Sequence, residues 1–130
     1  LGVRLVLLGD VPWQDIAETY VAADVFALLS GWEPWGVVVN EAAACGLPLL
    51  LSDQVGAAPD LLVDGQNGAL VPAGDVAATA AALRRLAGDP ALRRAQGARS
   101  LELVRGWGYE PSVESFVETV REAAGRGASG

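Results

Sequence analysis

Four short apolar runs, each closed by Gly, Pro or Ser and separated by stretches of helical spacing, constrain the fold of this chain more than any other feature. Val3-Arg4-Leu5-Val6-Leu7-Leu8-Gly9 is nearly continuous, as in a parallel strand covered on both faces. Pro12 stands where a helix can start, and Ile16, Tyr20 and Val21 follow at helical spacing before Ala22-Ala23. Val25–Leu29 reads as a second buried strand, entered by Asp24 and broken by Ser30-Gly31. Gly36–Cys45 is mixed, because three valines favour a strand while Glu41-Ala-Ala-Ala-Cys45 favours a helix. It is read as a helix, with Gly46 as the glycine just past its end and Pro48 soon after. Pro48–Ser52 is a third strand, Asp53–Pro59 the loop leaving its carboxyl end, Asp60–Val63 a short helix, and Asp64–Gly68 a turn. Ala69–Val71 forms a fourth strand, closed by Pro72. After Asp75 three helices are predicted, over 76–87, 90–104 and 111–124, divided by Gly88-Asp89-Pro90 and by Gly106 with Gly108. Arg84, Arg85, Arg93, Arg94 and Arg99 read as a solvated helical face, and the tail 125–130 as disordered. Strand alternating with helix predicts an α/β fold, an open parallel sheet with flanking helices. Ligands of such sheets collect beyond the carboxyl ends of the strands, so Gly9–Val11, Ser30–Gly36 and Asp53–Ala58 form one rim.

Composition narrows what that rim can do. A net charge of −7 without a basic stripe argues against nucleic acid or an anionic membrane as the main partner, since both need clustered cations. Lys and His are absent, which excludes a Schiff-base lysine, a P-loop lysine, a His-based triad and most metal sites within this segment. Cys45, the single cysteine, has small apolar neighbours and reads as a packing residue, in keeping with a reducing compartment. No run approaches the roughly 20 apolar residues that span a bilayer, and Leu1–Leu8 has no signal-peptide pattern, so a cytoplasmic location is expected, at most against the inner membrane face. The chain begins at Leu1 and contains no Met, and it is expected to be a piece of something longer.

The segment Glu33-Pro34-Trp35-Gly36-Val37-Val38-Val39-Asn40-Glu41 carries the chemistry. Glu33 precedes a Pro-aromatic-Gly turn, Glu41 lies among Val, Ala and Cys, and no Arg occurs between Arg4 and Arg84. A carboxylate in an apolar setting is costly unless hydrogen-bonded or paired, so both are expected to meet a polyhydroxyl ligand or another part of the protein, unless both simply reach solvent. If Trp35 or Gly36 opens the helix, the N–H groups of Gly36, Val37 and Val38 face the rim and can hold a phosphate or diphosphate. Gly36 allows a close approach. Glu41 has lone pairs for a cis-diol such as ribose, and Glu33 would lie further along the same ligand. A nucleoside diphosphate carrying a sugar suits this arrangement.

Glu33-x7-Glu41, within Glu-Pro-Trp-Gly-Val-Val-Val-Asn-Glu-Ala-Ala-Ala-Cys-Gly-Leu-Pro, resembles the E-x7-E signature of retaining glycosyltransferases of family 4, also called group 1. Ser52-Asp53-x-x-Gly56, Asp64-Gly65-x-Asn67-Gly68 and Val71-Pro72-x-Gly74-Asp75 match the same pattern in order, and the likeness runs from about Val3 to Ala124. The resemblance implies that residues 1–124 are most of a Rossmann-like, nucleotide-sugar-binding domain, the C-terminal half of the GT-B fold, truncated on its N-terminal side. It implies transfer of a sugar from a nucleotide diphosphate donor with retention, no cofactor and no metal. Glu33 would contact the transferred sugar as the catalytic residue, and Glu41 the ribose. The amides of Trp35, Gly36, Val37 and Val38 would hold sugar and diphosphate, Val11 and Pro12 would sit near the base, and Ser30 would line the donor site. In the family, the Arg and Lys that bind the diphosphate lie upstream of this segment, and the acceptor binds mainly to another domain, so the segment alone is expected to be inactive. Asp60 stands where the pattern often has Glu. Two other readings remain open at this stage: a GT-B-like nucleotide-sugar epimerase, for which the rim lacks His, and a non-catalytic flavodoxin-like α/β module with both Glu residues solvated.

Overall fold

The computed structural model describes residues 4–108 and 113–121. Three parallel strands, β1 (Phe26–Leu28), β2 (Leu49–Ser52) and β3 (Gly68–Val71), form a sheet in that order. Phe26 is opposite Leu49, and Leu49 opposite Gly68. Helices α1 (Ile16–Val21), α2 (Val37–Ala44), α3 (Ala58–Leu61), α4 (Val76–Gly88) and α5 (Pro90–Val104) surround it, followed by a 3-10 turn over Arg105–Trp107 and a helix over 113–121.

The central strand organises the core. Leu49, Leu50 and Leu51 are fully buried, each worth about 1.5–3 kcal/mol of burial. Side chains alternate across a strand, so Leu49 and Leu51 join Val39, Ala42 and Ala43 of α2 in the main cluster while Leu50 faces the other side. There its ladder partner Ala69 lies beneath Ala81 and Ala82 of α4. Gly68 sits where an added Cβ would overlap the Leu49 carbonyl oxygen. Gly97 of α5 is equally tight against the Gly46 carbonyl, so α5 crosses the end of α2 backbone to backbone.

Local signals set the element ends. Gly46, at φ +73°, closes α2: its N–H bonds the Ala43 carbonyl at 3.0 Å and the Leu47 N–H bonds the Ala42 carbonyl at 3.2 Å. The Asp75 carboxylate accepts the Ala78 N–H at the start of α4, and Asp89 accepts the Leu92 N–H at the start of α5, where Pro90 occupies the first turn.

The structure corrects several sequence expectations. Residues 4–9 form no strand, and Leu5 and Leu7 are 80% and 85% exposed. An apolar run supplies strand side chains but not the neighbouring backbone that a ladder requires, and none of the described strands lies beside it. The sheet therefore has three described strands rather than four. The stretch read as a second buried strand lies at the sheet edge, with Ala27 and Leu29 exposed. Helix α3 starts at Ala58 rather than Asp60, because Pro59 is well placed in a first turn, where its missing N–H is not needed. Gly106 and Gly108 do lie between the last two helices, as expected, with Gly106 inside a 3-10 turn that follows α5. Arg93 and Arg99 are not simply solvated: Arg93 Nη1 donates to the Leu86 and Ala87 carbonyls at the end of α4 and its guanidinium pairs with Asp24 at 3.4 Å, while Arg99 pairs with Glu102 at 2.8 Å. Residues 109–112 and 122–130, on which fall both ends of the helix predicted over 111–124 and the predicted tail 125–130, lie outside the described residues.

Candidate functional site

The rim at the carboxyl ends of β1 and β2 is built from two loops joined by backbone. The Glu33 N–H donates to the Gln54 carbonyl at 3.0 Å, the Gly56 N–H to the Glu33 carbonyl at 2.8 Å, and the Ala57 N–H to the Trp35 carbonyl at 2.9 Å. A Cβ on Gly56 would overlap the Pro34 carbonyl, so this seam needs glycine there. Ser52, fully buried at the end of β2, donates its hydroxyl to the Ser30 carbonyl at 2.7 Å and holds the exit from β1. Asp53 accepts the Ala73 N–H at 3.0 Å, tying in the loop after β3.

Helix α2 opens on this rim. Its N-cap, Gly36, is left-handed at φ +88° and no side chain caps the helix. The Val39 N–H closes a turn onto the Gly36 carbonyl at 2.8 Å, and the N–H groups of Gly36, Val37 and Val38 have no partner among the described residues. Side chains of Val37 and Val38 are exposed, whereas Val39 is fully buried and anchors the turn. Open amides in the first turn of a helix, with the partial positive end of its dipole, favour an anion.

The two carboxylates differ. Glu33 is half-buried, its Cγ lies 3.2 Å from where a Gly36 Cβ would be, and its carboxylate makes no hydrogen bond or ion pair among the described residues. Glu41 is exposed and already accepts the Tyr20 hydroxyl at 2.8 Å. Glu41 has its donor within the chain, brought by α1, whereas Glu33 has none among the described residues. Burial first, then the hydrogen bond from Tyr20 to Glu41 and the nearby negative charge, push the Tyr20 phenol up to about 12.

Of the residues singled out from sequence, Glu33, Trp35, Gly36, Val37 and Val38 come together at the α2 start, Ser30 lies on the adjoining strand exit, and Glu41 lies further along α2 against α1. Val11 and Pro12 precede α1, where the Pro12 carbonyl accepts the Asp15 N–H. No hydrogen bond joins them to the α2 start among the described residues. Sequence reasoning missed Tyr20 as the Glu41 partner and Asn40, whose Oδ1 accepts the Trp35 indole N–H at 3.0 Å. It also missed Trp107, whose ring centroid lies 5.1 Å from that of Trp35. Asn40 could have been suspected from its place one turn beyond an indole that needs an acceptor; Tyr20 and Trp107 act across elements and left no local signal.

Among the described residues no group of three or more His, Cys, Asp or Glu side chains could hold a metal ion, and no helix is long and apolar enough to cross a membrane.

The family model for glycosyl transferases group 1 matches residues 1–102. A D-inositol 3-phosphate glycosyltransferase of Kineococcus radiotolerans is 38% identical over 116 residues, covering 84% of this chain and 27% of that protein. Among solved structures, the sucrose-phosphate synthase of Thermosynechococcus elongatus superposes with a TM-score of 0.85 at 32% identity, over 96% of this chain and 31% of its own. The pneumococcal O-GlcNAc transferase GtfA, solved with UDP and GlcNAc, superposes with a TM-score of 0.62 at 25% identity over 82% of this chain and 22% of its own. The chain thus spans about a quarter of the length of the curated relatives it matches.

Proposed function

This chain belongs to the group 1 glycosyl transferases and has the α/β architecture of their GT-B relatives, and from that premise we propose that it is the donor-binding portion of a retaining, family 4 enzyme that moves a sugar from a nucleoside diphosphate to an acceptor. One observation carries the reading: the half-buried Glu33 carboxylate, without a partner among the described residues, lies beside Gly36 at an uncapped helix start. In the proposed complex the amides of Gly36, Val37 and Val38 meet the diphosphate. Glu33 then faces the anomeric carbon, where positive charge develops as the bond to the leaving diphosphate lengthens. A fixed negative charge there acts more strongly in the transition state than in the ground state. Glu41, oriented by the Tyr20 hydroxyl through Oε2, keeps lone pairs for the ribose diol. Val11 and Pro12 are proposed to approach the base and Ser30 the sugar. We read the diphosphate charge as met by these amides and by cations from outside this segment rather than by a resident metal, and the acceptor as bound mainly outside it. None of the relatives named above is an epimerase or a flavodoxin-like module.

The test is calorimetric titration of the full-length protein with UDP, GDP and ADP. One of the three should bind with an affinity unchanged by EDTA, and its release from the matching nucleotide sugar should require an acceptor. Binding of none of the three would reject the reading.

A further inference from the structure

The turn that presents the open amides does not hold itself in place. Its pivot is Gly36, a residue without a side chain and with a left-handed backbone, so its conformation depends on what grips its neighbours. Trp35 is gripped on three sides. Its carbonyl accepts the Ala57 N–H at 2.9 Å, its indole N–H donates to Asn40 Oδ1 at 3.0 Å, and its ring lies against Trp107 with centroids 5.1 Å apart and planes inclined by 43°. The Trp35 carbonyl and the Gly36 N–H belong to one peptide plane, so fixing the indole and the carbonyl fixes the direction of the first amide offered to the ligand. Trp107 arrives from the 3-10 turn that continues α5, and Val104 just before it packs on the core, so the second ring is carried by an anchored element.

We infer that Trp107 is a positioning residue for the donor site: it clamps the Trp35 indole against Asn40 and so sets the α2 amides before the diphosphate arrives. The inference rests on the donor-site reading above. The contact found for Trp107 is with the Trp35 ring, so the contribution inferred for it is preorganisation of the turn that Trp35 belongs to. It remains 44% exposed, so its truncation removes limited burial and should affect the site more than the fold.

The experiment uses the full-length protein, with UDP, GDP and ADP as probes and the tightest binder carried forward. Trp107→Ala should weaken that nucleotide by up to about tenfold, the scale of the ordering cost that preorganisation removes, with the melting temperature nearly unchanged. Trp107→Phe, which restores a flat ring, should bind like wild type. Should Trp107→Ala lose its melting transition, Asn40→Ala removes the other anchor of the same indole and is expected to show the same loss of affinity. Wild-type binding by a folded Trp107→Ala, or by Asn40→Ala in its place, overturns the clamp and leaves the donor-site reading standing. Failure of all three nucleotides to bind wild type overturns both.

Discussion

Glu33 precedes α2 and Glu41 lies along it; among the described residues only Glu41 has a partner, and the two are expected to fail differently when changed. In the full-length protein, Glu33→Gln should leave nucleoside diphosphate affinity nearly intact while lowering kcat by roughly a hundred- to a thousandfold, the scale of losing one transition-state charge contact. Glu41→Ala should instead weaken nucleotide binding by about 1–3 kcal/mol through lost hydrogen bonds to a charged acceptor. Paired calorimetry and turnover measurements separate the two, and a Glu33→Gln enzyme with poor affinity and normal kcat would make Glu33 a binding residue only. Tyr20 gives a pH signature. Its phenol moves from 10.0 to about 12 on folding, so the neutral form is favoured in the folded state. The stability this adds is complete below pH 10 and is lost as pH rises through about 12, a change of about 2–3 kcal/mol. Tyr20→Phe lacks that titration. Urea unfolding at a series of pH values should show its stability gaining on wild type by that amount across the window, and a constant difference would contradict the assignment.

At the scale of elements, α2 is held from behind by α5. Gly97 touches the Gly46 carbonyl, the Gly46 neighbourhood closes α2, and the same face of α5 sends Gln96 Nε2 to the Gly65 carbonyl at 3.1 Å. Ser100 reaches the Asn67 carbonyl at 3.4 Å from that face as well. Asn67, fully buried, accepts the Val63 N–H and donates to the Leu61 carbonyl, each at 2.8 Å, which makes the Asp64–Gly68 turn a structural staple for the end of α3. A methyl group at Gly97 has only backbone to displace. Gly97→Ala should therefore cost about 1–3 kcal/mol or more, the overpacking range, despite the better helix propensity of Ala. Thermal unfolding measures it, and a stabilised variant would show that α5 can slide on α2 without resistance.

For the whole molecule, charge distribution makes the clearest demand. Ten carboxylates and no cation lie between Leu5 and Leu83, while a helix start in an exposed site contributes only about 0.3–1 kcal/mol toward an anion. Residues 1–130 alone should therefore bind the nucleoside diphosphate far more weakly than the full-length protein. Rising salt should improve the fragment's binding by screening repulsion and weaken the parent's by screening attraction. Micromolar binding by the fragment at low salt would show that the rim needs no cations from elsewhere.

The sequence by itself determined the order of elements from β1 onward, the end of α2 at Gly46, the caps at Asp75 and Asp89, and the cluster of Glu33, Trp35 and Gly36 at a helix start. All are written in near neighbours, where backbone preference and a side chain a few residues away decide the outcome. Family resemblance was legible for the same reason, since each of its motifs, from Glu33–Glu41 to Val71–Asp75, is a short run of near neighbours. Tertiary structure alone decided that Leu5–Leu8 stay out of the sheet, that Tyr20 satisfies Glu41, that Gly56 lets two loops join, that Arg93 closes α4, and that Trp107 covers Trp35. Each depends on a partner distant in the chain, and spacing within a segment carries no information about which distant group the fold will bring alongside.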